Sequence, residues 1–143
     1  AALNYGAAIA GEGSGGIVFP RLNFAHDGLA AMAHVLDLQA QLEKPLSQFV
    51  REELPHYVIR KAQVPCPTER AYTVLEELRE AAAPAWVTER NLEDGLLLRG
   101  AEQWVHVRVS QTEPMIRVIA EAREAEQAEA LTQEYTTRVR RAI

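Results

Sequence analysis

Trp104-Val105-His106-Val107-Arg108-Val109-Ser110-Gln111-Thr112-Glu113-Pro114-Met115-Ile116-Arg117-Val118-Ile119-Ala120 consists of two apolar, β-branched runs separated by a polar bend. Such runs, divided by a cluster of turn-forming residues, read as strand, loop, strand. The bend carries more than turn chemistry, because Arg108 and Arg117 bracket it. Arginine offers a planar fork of donors that fits a phosphate, and it stays charged at any physiological pH. Ser110, Gln111 and Thr112 add side-chain donors, and main-chain N–H groups of a tight turn can point into the same hollow. The residue types nominate a phosphate-gripping loop. A polar hairpin with solvated arginines is the competing reading, since charged loop residues are ordinary.

Outward from this unit the pattern continues in both directions. Upstream, Tyr57 to Val64 is β-rich and bounded by Pro55 and Pro65. Thr68 stands where a cap belongs, ahead of a helix from Glu69 to about Ala83 with Tyr72, Leu75, Leu78 and Ala82 as its buried stripe. Trp86–Arg90 is a strand candidate; Glu93-Asp94-Gly95 is a turn, and Leu96–Arg99 another extended run. Downstream, Met115–Ala122 is a strand and Glu124–Arg141 a helix, with Ala128, Leu131, Tyr135 and Val139 on its apolar side. The order is roughly β-α-β-β-β-α. That predicts a four-stranded antiparallel sheet with both helices on one face.

Residues 1–55 read differently. Ala7–Ala10 and Gly16–Phe19 are short strand candidates around a Gly-rich turn, and Pro20–His26 is an irregular connector. Asp27 is placed to cap a helix from Gly28 to Leu42, with Leu29, Met32, Ala33, Leu36 and Ala40 on one face as core. Leu46–Glu53 forms a short second helix, ended by Leu54-Pro55.

Composition narrows the function classes. The chain has 143 residues and a formal net charge of −5, which argues against bulk attraction to nucleic acid. A phosphate site must then be local. No run approaches the roughly 18 apolar residues that a membrane span needs, and no leader pattern is visible. The expectation is a soluble, cytoplasmic protein without a membrane partner. Cys66 is the single cysteine, so no internal disulfide or Cys-based metal site can form, and its apolar neighbours suggest an inert thiol. His26, His34, His56 and His106 show no metal-ligand spacing.

Gly11-Glu12-Gly13-Ser14-Gly15-Gly16 places four glycines in six positions, so its backbone can turn sharply or let a ligand approach. It is neither a Walker loop nor a dinucleotide fingerprint, because the spacing and the Lys-Ser/Thr are missing. A flexible connector is the plain alternative. Together with Arg108-x-Ser110-x-Thr112-Glu113-Pro114, however, it resembles two motifs of the α-D-phosphohexomutases, the family of phosphoglucomutase, phosphomannomutase and phosphoglucosamine mutase. One is a Gly-Glu-x-Ser-Gly sugar loop and the other an Arg-Pro-Ser-Gly-Thr-Glu-Pro phosphate loop. They occur in the family's order and at about its separation. Val109 and Gln111 replace the usual Pro and Gly, and Gly16 stands where many members have His.

The resemblance implies a division of labour. Glu12 and Ser14 would hold sugar hydroxyls, and Arg108, Ser110, Gln111, Thr112 and Arg117 the distal phosphate. Residues 1–55 would be the end of the third, sugar-binding α/β (βαβ-type) domain, and 56–143 the fourth, phosphate-binding α+β domain, similar in shape to the TATA-binding protein. The family's phosphoserine loop and its Mg²⁺-binding Asp-Gly-Asp-x-Asp loop are not among these residues, where Asp27, Asp37 and Asp94 lie far apart. The resemblance therefore implies a C-terminal portion, inactive alone, of a mutase that uses Mg²⁺ and a hexose 1,6-bisphosphate activator. It also implies a phosphosugar substrate and upstream domains of the same chain as partners. A non-catalytic phosphosugar-binding or regulatory module is the alternative.

Overall fold

In the computed structural model, which describes residues 6–12 and 15–143, the chain divides into two compact units, residues 1–55 and 56–143. The second unit holds almost all of the core. Its strands are β3 (Val58–Pro65), β4 (Glu89–Asn91), β5 (Leu96–Arg99), β6 (Gln103–Val109) and β7 (Met115–Ala122), and its helices are α3 (Thr68–Glu80) and α4 (Ala125–Ala142). The sheet runs β3-β7-β6-β5-β4, antiparallel throughout. It has five strands where four are expected from the sequence. The edge strand is β4, three polar residues at the C-terminal end of the Trp86–Arg90 candidate, where Glu89 lies opposite Arg99 and the two side chains pair at 3.3 Å. Short, charged edges of this kind discourage pairing with other chains.

Period-two alternation sorts the two faces of this sheet. Val105, Val107, Ile116, Val118 and Ala120 are fully buried, with Leu96 and Leu98 beside them. They pack against α3 and α4 in one cluster with Val74, Leu131, Tyr135 and Val139. Each such fully buried aliphatic chain contributes roughly 1.5–3 kcal/mol relative to exposure. The opposite face carries Trp104, His106, Arg108, Arg117, Ile119 and Glu121, all half-buried.

Both helices show what packing adds to periodicity. In α4 the expected stripe of Ala128, Leu131, Tyr135 and Val139 is buried, joined by Thr132 and Thr136. The acidic first turn and Arg140 and Arg141 in the last suit the helix dipole. Arg70 of α3 donates to the Ala142 and Ile143 carbonyls at 2.9 and 3.1 Å, capping its C-terminus. In α3 the cap is Pro67, not Thr68, without a side-chain bond. Its buried stripe is Ala71, Val74, Leu75 and Leu78. Tyr72 is 60% exposed, because the i, i+3, i+4, i+7 series that faces the sheet begins one residue earlier. Cys66 is buried against its own Pro67 carbonyl, and that burial pushes its thiol above the ordinary value despite nearby Arg70.

The first unit consists of β1 (Ala10–Gly11), β2 (Ile17–Val18), α1 (Gly28–Gln41) and α2 (Leu46–Glu53). The two strands pair antiparallel. Asp27 caps α1, its Oδ1 accepting from the Ala30 N–H at 2.9 Å. Lys44 bridges Glu52 and Glu53 at 2.8 and 2.9 Å. The expected core stripe on α1 is open. No residue of that helix is buried, and Leu29, Met32 and Leu36 are 77, 56 and 61% exposed. The two-residue strands of this unit are too small a sheet to cover a four-turn helix. Among the described residues, no helix is long and apolar enough to cross a membrane.

Candidate functional site

The site follows from strand register. Arg108 on β6 and Arg117 on β7 are direct cross-strand partners. Their neighbours Val107, Ile116 and Val118 turn into the core, so both arginines emerge on the opposite face. Like charges placed directly opposite destabilise a ladder, and an anion shared between them reverses the sign. The hairpin loop closes over the same place. Ser110 N–H donates to the Met115 carbonyl at 2.9 Å, Met115 N–H to Glu113 at 2.8 Å, and Cys66 N–H to Pro114 at 3.0 Å. Together Arg108, Ser110, Gln111, Thr112 and Arg117 line a hollow of about 190 Å³.

Two of the lining residues each bury a polar atom that lacks a partner. Ser110 Oγ and Arg117 Nε are buried without a hydrogen bond. A buried donor left unpaired costs about 1–3 kcal/mol, so the arrangement favours an acceptor-rich guest. A phosphate brings several acceptor oxygens and a negative charge, matching two guanidinium forks and a hydroxyl.

Both guanidinium groups are already engaged by carboxylates. Arg117 Nη2 donates to Glu113 Oε2 at 2.9 Å, and Arg108 Nη1 lies 3.5 Å from Asp94 Oδ2. Asp94 belongs to the turn before β5, and that turn is firmly held. Arg79 of α3 donates to the Gly95 and Leu92 carbonyls at 2.9 and 2.8 Å. Glu93 N–H donates to Asn91 Oδ1 at 2.8 Å, and the His106 ring contacts the Asp94 carbonyl. Gly95 is buried with φ +89°, and a Cβ there would sit 2.3 Å from the Val107 carbonyl oxygen. Only glycine lets the turn press against the backbone of Arg108. Asp94 and Gly95 are read from sequence only as a turn; their place beside Arg108 depends on the β5–β6 register, which no local pattern reveals.

The Gly-rich loop lies in the other unit. Its hairpin is closed by Glu12 N–H donating to Gly16 at 3.1 Å and Gly15 N–H to Glu12 at 3.0 Å, with Gly15 at φ +91°. The Glu12 carboxylate is more than half exposed, and Ser14 lies outside the described residues. The connector after β2 folds back onto this loop. Asp27 N–H donates to the Ile17 carbonyl at 2.8 Å, and the His26 ring occupies the space that a side chain on residue 16 would need, 2.5 Å from an ideal Cβ. His26 Nε2 stands 3.8 Å from Glu12 Oε1. In the sequence His26 belongs to an irregular connector, and no local pattern reveals its place against Gly16.

Among the described residues, no three His, Cys, Asp or Glu side chains gather closely enough to hold a metal ion. The Mg²⁺ implied by the resemblance has no ligand set in them.

Comparison with known proteins decides the family. A profile described as phosphoglucomutase/phosphomannomutase, alpha/beta/alpha domain III, matches residues 1–57. A second, phosphoglucomutase/phosphomannomutase, C-terminal domain, matches residues 62–137. The chain belongs to the phosphoglucomutase/phosphomannomutase family. A protein of Thermococcus kodakarensis called a probable phosphoglucosamine mutase is 33% identical over 140 residues, 97% of this chain and 31% of its own length. One of Methanosarcina acetivorans with the same description is 36% identical over 121 residues, 84% of this chain and 26% of its own. The chain thus spans about a third or less of the curated relatives it matches. A phosphoglucomutase/phosphomannomutase family protein from Burkholderia thailandensis has a similar fold, with a TM-score of 0.77 over 99% of this chain and 30% of that one, at 23% identity.

Proposed function

We propose that this chain is the substrate-recognition portion of a phosphosugar mutase that interconverts hexose 1-phosphate and hexose 6-phosphate. The cross-strand Arg108–Arg117 pair, lining one hollow with Ser110, Gln111 and Thr112, is the observation that carries this reading. In such a reaction one phosphate reacts and the other must be held. The five hollow residues hold the non-reacting phosphate. Their contribution is positional and electrostatic: they keep the sugar in line with the reacting centre. Glu12 and Ser14 fix the ring by its hydroxyls, with the carboxylate accepting and the serine both donating and accepting. A hexose bisphosphate can present either end to one clamp, because a clamp of guanidinium forks reads the phosphate and not the carbon that bears it.

The reacting groups are supplied by upstream domains, and the chain alone turns nothing over. Among hexoses, the descriptions of the archaeal relatives favour a glucosamine phosphate; a coupled assay of the whole protein across glucose, mannose and glucosamine phosphates tests that choice. The site itself is tested by calorimetric titration of the chain with inorganic phosphate. Wild type binds, and Arg108→Ala and Arg117→Ala each lose at least tenfold in affinity, as expected when a charge-assisted bond is removed. Equal affinity in all three proteins removes the assignment.

A further inference from the structure

Each arginine of the hollow already holds a carboxylate. Asp94 stands at Arg108 and Glu113 at Arg117. The four side chains sum to zero charge, so an arriving phosphate meets a neutralised cluster and not two bare cations. The two carboxylates differ in how they are held. Asp94 is fixed by its turn: Arg79 braces the carbonyls on either side of it, the His106 ring meets its own carbonyl, and Gly95 allows the close approach to Arg108. Glu113 rides on the hairpin loop itself, four residues before its partner. Both pairs are partly exposed, so their value to folding is small. Their effect on an incoming anion is not, because they sit within a few ångströms of where its charge must settle.

Building on the reading of the hollow as a phosphate clamp, we propose that Asp94 and Glu113 are built-in counter-ions that hold its affinity down. Asp94 stays in place and repels; Glu113 exchanges with the phosphate for Arg117 and swings out with the loop. A clamp tempered in this way releases a phosphate readily. A sugar that must present first one end and then the other requires that property. Asp94 and Glu113 are thus affinity-setting residues that need not touch the sugar.

The test is a titration of the chain with inorganic phosphate in wild type, Asp94→Asn, Glu113→Gln and the double variant, with Arg108→Ala as reference. Each single neutralisation is expected to tighten binding about fivefold, the double more, and the gain to shrink at high salt. Asp94→Glu keeps the charge and should restore affinity close to wild type. Thermal midpoints within a degree or two of wild type show that folding is intact. If wild type binds phosphate through Arg108 and both neutralised variants bind equally or more weakly, the carboxylates are braces for the arginines and the counter-ion proposal is wrong. If wild type shows no Arg108-dependent binding, the clamp reading fails first and this one falls with it.

Discussion

Helices α1 and α4 carry similar apolar periods and end in opposite surroundings. Six residues of α4 are buried against the sheet, and none of α1 is. Both stripes were expected to be core. Periodicity thus says which side of a helix would be buried, and the neighbouring sheet decides whether it is. In residues 56–143 five strands supply that surface; among the described residues of 1–55 two strands of two residues do not.

The largest effect that separates the two regions comes from one substitution made twice. Leu131→Ala in α4 should cost about 2–5 kcal/mol, since a 5% exposed leucine leaves a cavity. Leu36→Ala in α1, 61% exposed, should cost less than about 0.5 kcal/mol. Urea denaturation followed by circular dichroism compares them, and equal costs would mean that the α1 stripe is covered in solution. A smaller effect sharpens the contrast at the site. Gly95→Ala forces an L residue into a positive φ against the Val107 carbonyl and should lower stability by about 2 kcal/mol. The same variant displaces the turn that carries Asp94 against Arg108 and should change phosphate affinity; a stability loss with unchanged binding would detach the turn from the site. Smallest is Asp27→Ala, which removes the α1 cap and should cost about 1 kcal/mol of helix stability. Loss of helical ellipticity with the second unit's unfolding midpoint unmoved is the expected signature.

These expectations also mark what the residue order discloses by itself. The bounds of α2, the Asp27 cap and the polar bend between two β-branched runs are local chemistry, and the structure has them where the residue types put them. The five residues nominated at the bend line one hollow because a hairpin brings its own ends together. Features that depend on distant partners were not legible. Tyr72 is outside because α3 meets the sheet along the 71-74-75-78 line. The edge strand β4 keeps only Glu89 and Arg90 of the Trp86–Arg90 candidate, because its pairing with β5 sets its bounds. Asp94 reaches Arg108, and His26 reaches Gly16, through turns whose destination no nearby residue announces.

The direct opposition of Arg108 and Arg117 makes parity a requirement of the hairpin between them. Side chains on a strand alternate, so a one-residue insertion or deletion that slips the pairing sends one guanidinium through to the helix-covered side. Such a change would strand a cation in oil and dismantle the grip in a single step. The letter at Val109 can therefore vary far more freely than the number of residues in the bend.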